Sequence, residues 1–191
     1  PVMGGSIQRD FIVCNDLDSV VTLTNEVLGN GGFNGAYIWQ SVSNDTTTID
    51  SANGETYTPR PVVGTVQYQR VYTTECGDQP SNPVSVTYYG NVDPGRVVCS
   101  GEGNDCVANY CYGSDINVTL STSGINVGSE TTPTIQWQRS VNGGDWTNIQ
   151  DANSNTYTYN NSNFTEPISF RYTIQLPSCD SVPSNNVHNI G

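Results

Sequence analysis

Three segments of the chain recur in the same order about 100 positions further on. Each copy spans roughly 90–100 residues, which is too long for a solenoid repeat and is the size of a small domain. The repetition therefore predicts two modules of one fold, repeat 1 at residues 1–90 and repeat 2 at residues 91–191. The matching segments are YIWQS at 37–41 with IQWQR at 135–139, SANGETYT at 51–58 with DANSNTYT at 151–158, and PSNPV at 80–84 with PSNNV at 183–187.

The modules have the composition and pattern of antiparallel β-structure. Thr, Ser, Asn, Gly and Tyr are abundant, and β-branched and aromatic residues alternate with polar ones in segments such as residues 66–72 and 84–89. Asn-Gly pairs at 30–31, 34–35, 53–54 and 142–143 mark tight turns, because both residues tolerate a positive φ. We therefore expect an all-β fold of two tandem antiparallel sandwiches.

Two tryptophans, Trp39 and Trp137, occupy equivalent mid-strand positions. A cysteine follows each about 40 residues later, Cys76 and Cys179, and a core tryptophan with a late cysteine is an immunoglobulin-like arrangement. Tyr57 and Tyr157 recur in the same way. The four aromatic residues are therefore predicted to anchor the two cores.

The chain has 18 acidic residues and six basic ones, and its net charge is −12. All six basic residues are arginine. A chain without lysine cannot form a Lys–Asn isopeptide cross-link, a Schiff base or the lysine contact of a phosphate loop. An acidic surface repels nucleic acid and anionic lipid, and no apolar run approaches the ~20 residues of a membrane span. Nucleic-acid binding and direct membrane insertion are therefore not expected.

Six cysteines, in a chain with little charge and much threonine, predict disulfides in an oxidising, extracellular setting. Repeat 1 contains only Cys14 and Cys76, which predicts a Cys14–Cys76 bridge. Gly5 lies nine residues before Cys14 and Gly90 nine before Cys99, so Cys99 matches Cys14. That match predicts Cys99–Cys179.

The remaining cysteines, Cys106 and Cys111, then pair inside an insertion near residues 101–112. The downstream context allows the other scheme, Cys111–Cys179 with Cys99–Cys106, and both stay open. Intervals of six and four residues between Cys99, Cys106 and Cys111 do not have the spacing of a structural zinc knuckle.

Catalytic and metal-binding residues are sparse. The only histidine, His188, lies in the predicted last strand and is expected to be exposed, and the acids are scattered over turns, so no enzyme activity is predicted. No cofactor is expected, with structural calcium as the weak alternative. Its candidate ligands are Asp16, Asp18, Glu102 and Asp105, although the spacing of an EF-hand loop is missing.

Trp146 has no tryptophan counterpart in repeat 1 and follows the turn at 142–144. It either folds back over the sheet beside Ile149 or stacks on a ligand such as a sugar ring. Both interpretations stay open.

The ordered motif set carries a family resemblance. In repeat 2 it consists of VCSG at 98–101, WQRS at 137–140, DWTNI at 145–149, NTY at 155–157, Cys179 and PSNNV, and repeat 1 has matching segments. This set resembles the immunoglobulin-like repeats of very large surface proteins of Bacteroidetes, such as the SprB-type gliding-motility adhesins.

The resemblance implies a segment of a filamentous adhesin that is exported by the type IX route and located at the outer cell surface. Neighbouring repeats and an extracellular surface or polysaccharide would be its partners, and the chain itself would be a monomeric fragment of a longer precursor. A pair of carbohydrate-binding modules from a secreted polysaccharide-active protein is the main alternative. A spacer without ligand is the third.

Overall fold

A computed structural model describes residues 1–14, 16–99, 107–128 and 131–191. The chain divides into two compact units, unit 1 at Pro1–Asn91 and unit 2 at Val92–Gly191. This division lies one residue after the predicted boundary between residues 90 and 91. In the described residues all regular secondary structure is β-strand, and no helix there is long and apolar enough to cross a membrane.

Unit 1 consists of two sheets. The smaller sheet pairs β1 with β3, and the larger has the order β2-β8-β6-β4-β5, with β7 added beside β6. The strands are β1 Ser6–Ile7, β2 Phe11–Val13, β3 Asn25–Val27, β4 Ala36–Ser41, β5 Thr47–Thr48, β6 Gly64–Thr73, β7 Gln79–Pro80 and β8 Val84–Tyr88.

Unit 2 repeats this arrangement with longer pairings. Its three-stranded sheet has the order β14-β11-β9, and its larger sheet has the order β10-β17-β15-β12-β13, with β16 beside β15. The strands are β9 Arg96–Cys99, β10 Val107–Ala108, β11 Ile116–Ser123, β12 Thr134–Val141, β13 Thr147–Asn148, β14 Thr156–Asn161, β15 Ile168–Gln175, β16 Val182–Pro183 and β17 His188–Ile190.

Alternation along the strands builds the cores. In β8, Val84, Val86 and Tyr88 are buried, while the residues between them are half-buried. Because side chains of a strand point alternately to its two faces, this pattern turns one face of the sheet inward. In β15 the same alternation buries Phe170 and Tyr172.

The core of each unit is centred on its tryptophan. Trp39 and Trp137 are completely buried, and each lies against the half-buried tyrosine of the repeated motif. The ring centroids are 5.6 Å apart for Trp39 and Tyr57 and 6.0 Å apart for Trp137 and Tyr157. The four aromatic residues singled out by the repeat therefore form the two cores, as tilted pairs.

The geometry of the repeated turn around Ala52 and Ala152 explains why its sequence recurs. Ser51 and Asp151 both adopt a left-handed φ, at 63° and 60°. This conformation brings the next loop residues under the tryptophan, where the indole N–H of Trp39 donates to Gly54 O at 2.9 Å and that of Trp137 to Ser154 O at 2.9 Å. The repeated motif therefore satisfies the polar group of each buried indole.

The structure changes the alignment of the two repeats at their start. The amide of Ile7 donates to Asn82 Oδ1 at 2.9 Å, and the amide of Val97 donates to Asn186 Oδ1 at 2.6 Å. Two residues before these, Gly5 and Gly95 both have a positive φ, at 74° and 69°. The counterpart of Gly5 is therefore Gly95, and the predicted match with Gly90 is wrong.

Candidate functional site

The disulfide pattern differs from the predicted one. Cys14, Cys99 and Cys179 are each disulfide-bonded, whereas Cys76 and Cys111 are free and exposed. The predicted bridges Cys14–Cys76 and Cys106–Cys111 are therefore wrong, and so is the alternative Cys111–Cys179. Cys106, and with it the alternative Cys99–Cys106, lies outside the described residues, as does residue range 101–106 of the predicted insertion.

Strand register explains why no disulfide closes within unit 1. Cys14 follows β2, whose last residue Val13 pairs with Tyr88, and Tyr88 pairs with Gly64 at the start of β6. Cys76 lies in the turn after the other end of β6. The ten residues of β6, at about 3.3 Å each, place Cys14 and Cys76 roughly 30 Å apart. A disulfide allows only ~7 Å between the two Cα atoms.

The same reasoning excludes Cys99–Cys179 in unit 2. The sulfur of Cys99 lies 3.2 Å from Nδ1 of His188, which pairs with Phe170. The amide of Cys179 donates to Leu176 O at 3.1 Å, beyond the far end of β15. From Phe170 to Leu176 the strand extends by roughly 20 Å. The predicted match of Cys99 with Cys14 depends on aligning Gly90 with Gly5. The structure aligns Gly95 with Gly5 instead, so Cys99 is not the counterpart of Cys14.

His188 lies in β17, the last strand, but it is not exposed as predicted. Only 1% of its surface is accessible, because it occupies the inward position that Val84 has in unit 1. Its neighbour across the strands is Phe170. A catalytic triad needs a nucleophile and an orienting acid around an accessible imidazole, and this imidazole is enclosed in the core of a sandwich.

A groove of about 980 Å³ lies beside β12 and β15 of unit 2. Its lining is made of amides, hydroxyls and a few aliphatic groups, and none of the described residues in that lining is ionisable. Three of its glutamine amides are held by the protein: Gln136 Nε2 donates to Ile149 O at 2.8 Å, Gln138 Nε2 to Asn148 Oδ1 at 2.9 Å, and Gln175 Nε2 to Cys179 O at 2.9 Å. The groove is thus a neutral polar surface in an acidic chain.

Unit 1 does not repeat the character of this groove. Trp39 pairs with Arg70 and Trp137 with Tyr172, which aligns Gln136 with Ile38 and Thr173 with Val71. The amide and hydroxyl of unit 2 thus stand where unit 1 has apolar side chains.

Trp146 is half-buried, and the guanidinium carbon of Arg171 lies 4.3 Å from its ring centroid. Arg171 is fixed in turn, since its Nε donates to Gln138 Oε1 at 2.8 Å. Burial lowers the pKa of Arg171. Trp146 therefore packs on an arginine as a cation–π pair, a contact that the sequence did not predict.

Arg70 is a buried charged residue of unit 1 that the sequence analysis did not predict. Its side chain is completely buried, with Nη1 donating to Glu55 O at 2.8 Å and Nη2 to Val27 O at 3.2 Å, while Nε finds no partner in the part of the chain that the structure describes. The guanidinium carbon lies 4.4 Å from the ring centroid of Tyr37, and burial lowers the arginine's pKa. The spacing of Arg70 from Tyr68 in β6 could have predicted this burial. Residues two positions apart in a strand lie on the same face, and Tyr68 faces the core.

The calcium candidates separate into two groups. Glu102 and Asp105 lie outside the described residues. The carboxylate of Asp16 accepts hydrogen bonds from the amides of Asp18 and Ser19 and from the Ser19 hydroxyl, and these bonds lower its pKa. Asp16 thus closes a local turn with its own neighbours. Among the described residues, no group of three or more His, Cys, Asp or Glu side chains is placed to hold a metal ion.

Two copies of one sequence profile match the chain, at residues 3–90 and 97–189. The profile is that of a domain of unknown function, DUF8696. The chain belongs to this family. Each unit is one DUF8696 domain, and the second match begins at Val97, which aligns with Ile7, the last residue of β1, once Gly95 is matched to Gly5. No curated protein matches the chain.

Solved structures resemble the tandem DUF8696 domains at low sequence identity. Domains A168–A170 from titin match with a TM-score of 0.58 and 14% identity, over 100% of this chain and 65% of that one. Sidekick-1 immunoglobulin domains 1–5 match with a TM-score of 0.48 and 13% identity, over 99% of this chain and 37% of that one. The chain thus spans less than two thirds of either structure.

The strand topology and the titin likeness identify the fold. Each DUF8696 domain is an immunoglobulin-like antiparallel β-sandwich, and the two follow each other in tandem. One sandwich fold serves many roles, and the function of a given domain depends on its sites and surfaces.

Proposed function

We propose that the chain is a load-bearing segment of a large repetitive adhesin on the outer surface of a bacterial cell, where it contributes to surface attachment and gliding motility. The carrying observation is the parallel pairing of the strands near the two ends of each unit. In unit 1, β2 pairs in parallel with β8 from Phe11–Val86 to Val13–Tyr88. In unit 2, β10 pairs in parallel with β17.

Parallel terminal strands resist extension well. When a chain is pulled from its ends, an early strand and the last strand move in opposite directions along their shared edge. All the ladder hydrogen bonds then bear the load together, whereas in a hairpin they would open one after another. Tyr89 extends this edge in unit 1 by donating its amide to Val13 O at 2.9 Å, and Tyr110 extends it in unit 2 by donating to Gly191 O at 3.0 Å.

Composition supports an extracellular place for such a segment. Three cysteines are disulfide-bonded, which is typical of oxidising compartments. The charge of −12 keeps a long array soluble and repels nucleic acid. Neighbouring repeats of the same protein would be the constant partners, and a surface or polysaccharide the external one. Weak contacts summed over many repeats would give avidity.

Force spectroscopy on the full chain, pulled from its two termini, tests the proposal. Two unfolding events are expected, one for each unit. Val13→Pro should lower the rupture force of one event and leave the other unchanged, because proline interrupts the β2 edge. Leu23→Ala is the matched control, since Leu23 is buried in the same unit but lies outside the β2–β8 pair.

The rupture forces of the two variants are compared after each is related to the loss of equilibrium stability that the substitution causes. A rupture force that falls as much for Leu23→Ala as for Val13→Pro would overturn the load-bearing role of the terminal strands. Adhesion is tested separately, by the shear at which beads coated with the chain detach from glass and from polysaccharide films. Detachment identical to that of uncoated beads would leave a stalk without adhesive function.

A second function, glycan binding, is favoured by the neutral polar groove of unit 2. Sugar hydroxyls suit amide and hydroxyl partners, and Trp146 with Arg171 lies next to the groove residue Gln138. Calorimetry against a polysaccharide panel tests it with Thr173→Val, which gives the groove the residue found in unit 1. Saturable binding that Thr173→Val weakens would support this function, and no binding to any glycan would reject it.

A further inference from the structure

Four of the described cysteines lie outside the strands. They fall into two classes by their place in the fold. Cys76 and Cys179 lie in the turn that follows the strand paired with the tryptophan strand of each unit, β6 or β15. Cys14 and Cys111 follow the parallel edge strand, β2 or β10. In each class one cysteine is disulfide-bonded and the other is free.

The two classes mark the two ends of a module. The chain enters unit 1 beside the turn of Cys76, where a Cβ on Gly4 would come within 2.3 Å of Pro80 O, and Pro80 pairs with Val71 in the second half of β6. It leaves at the end that carries Cys14, where Tyr89 bonds to Val13. We name these the leading end and the trailing end.

Unit 2 has the same polarity. Its first residues lie at the leading end, since the Tyr172 hydroxyl donates to Pro94 O at 2.6 Å in the half of β15 that leads to Cys179. Gly191 lies at the trailing end, where its carbonyl accepts from Tyr110, next to Cys111. Among the described cysteines, the free thiols are therefore the leading-end cysteine of unit 1 and the trailing-end cysteine of unit 2.

An exposed aromatic side chain accompanies each free thiol. Phe33 is 73% exposed, and its carbonyl accepts from the amide of Glu75, the residue before Cys76. Tyr112 directly follows Cys111 and is 71% exposed, with its ring stacked on Phe164 at 5.7 Å. Exposed aromatic groups beside a reactive group are typical of contact surfaces.

We propose that Cys76 of one copy forms a disulfide with Cys111 of a second copy, so that the chain cross-links head to tail with itself. A contact between two different surfaces joins copies head to tail, and repetition of the contact gives a closed ring or an open fibre according to the rotation between copies. The same chemistry would join successive modules of a longer array. This role goes beyond the load-bearing function and does not depend on it.

The reaction is thiol–disulfide exchange with a small oxidised disulfide such as oxidised glutathione. One thiolate attacks the small disulfide and releases one reduced glutathione, and the second protein thiolate then attacks the mixed disulfide and releases another. Overall, two protein thiols lose two protons and two electrons, and one small disulfide is reduced to two thiols. Both protein thiols are exposed, so the small disulfide can reach them.

The test uses the full chain, without prior reduction, at about 0.15 M salt, where acidic charges are screened. Cys76→Ser and Cys111→Ser chains, distinguished by a mass label, are incubated with oxidised glutathione separately and as a mixture. The mixture is expected to give one covalent dimer with a peptide linking Cys76 to Cys111. Each variant alone should stay largely monomeric, and the wild-type chain should form a ladder of oligomers on a non-reducing gel.

Phe33→Ser and Tyr112→Ser provide the second readout. Each should slow cross-linking by about tenfold, the effect of losing roughly 1.4 kcal/mol of apolar contact, while the rate of alkylation by iodoacetamide stays the same. Homodimers of each variant in the same yield as the mixed dimer, or no cross-link at all, would overturn the proposal. Either result would leave the force experiment on β2 and β8 unaffected, so the two proposals fail separately.

Discussion

The amide of Trp39 donates to the carbonyl of Ala52 at 3.0 Å, and the amide of Trp137 donates to Ala152 at 2.9 Å. In both units the tryptophan carbonyl accepts from the isoleucine three residues before that alanine, at 2.9 Å. The tryptophan and the repeated turn are therefore one structural unit. The recurrence of the turn residues is explained by their positioning of this backbone.

Replacing Trp39 by phenylalanine should destabilise unit 1 by about 2–4 kcal/mol, because it leaves a cavity and removes the donor to Gly54 O. Trp146→Phe is the control and should cost less than about 1 kcal/mol, since Trp146 is only half-buried. Urea unfolding followed by far-UV circular dichroism measures both. Equal costs would show that the buried indole does not anchor the core.

Asn82 joins the first strand to the loop before β8. It accepts from the Ile7 amide and donates from Nδ2 to Ile7 O at 3.1 Å. Asn82→Ala should cost about 1–2 kcal/mol, the net value of two hydrogen bonds. The exposed Asn44→Ala should change the free energy of unfolding by less than about 0.5 kcal/mol. If β1 stays as protected from amide hydrogen exchange in the Asn82 variant as in the wild type, this link is not what holds the strand.

Arg70→Lys should destabilise unit 1 by about 2–3 kcal/mol. A lysine ammonium cannot donate to Glu55 O and Val27 O together while lying flat on Tyr37, and its burial costs more than that of a guanidinium. Arg139→Lys at an exposed position is the matched control and should be close to neutral. Thermal unfolding of both variants provides the comparison, and a neutral Arg70→Lys would mean that the buried fork is dispensable.

Unit 2 should lose stability in alkali through Tyr172. Burial, with a smaller contribution from the charge of Asp93, raises the pKa of Tyr172 to about 12 from its usual 10. The raised pKa means that the folded state favours the neutral phenol. The resulting stabilisation is complete below about pH 10 and is lost as the pH rises towards 12.

From about pH 9 to pH 11.5 the free energy of unfolding should fall by roughly 2 kcal/mol more in the wild type than in Tyr172→Phe, which lacks the titrating group. Urea unfolding at the two pH values gives both differences. The same fall in both proteins would contradict a buried, neutral phenol at Tyr172.

The sequence was sufficient for the fold because its strongest signals are local and occur twice. The recurrence of Trp39 and Tyr57 as Trp137 and Tyr157 predicts two equivalent cores, and alternation predicts sandwiches around them. The start of unit 2 was misaligned because Gly90 and Gly95 both precede an aliphatic residue by two positions. The hydrogen bond from the Val97 amide to Asn186, which matches that from Ile7 to Asn82, identifies Gly95 and not Gly90 as the counterpart of Gly5.

The sites could not be predicted with the same success. The sequence predicts a Cys14–Cys76 bridge because unit 1 has no other cysteine. In the structure the two cysteines lie near opposite ends of β6, and this separation depends on which strands pair and in which register. The burial of His188 and the contact of Arg171 with Trp146 depend on which strands become neighbours across the sheet. Those neighbours lie far apart in the sequence.

The state of the cysteines tests this account most directly. The native chain is alkylated with iodoacetamide without reductant, then reduced, labelled with a second alkylating agent of different mass, digested and analysed by mass spectrometry. We expect the first label on Cys76 and Cys111 and the second on Cys14, Cys99 and Cys179. A peptide that links Cys14 to Cys76 would contradict the strand register of unit 1 and, with it, the assignment of the two ends of each module.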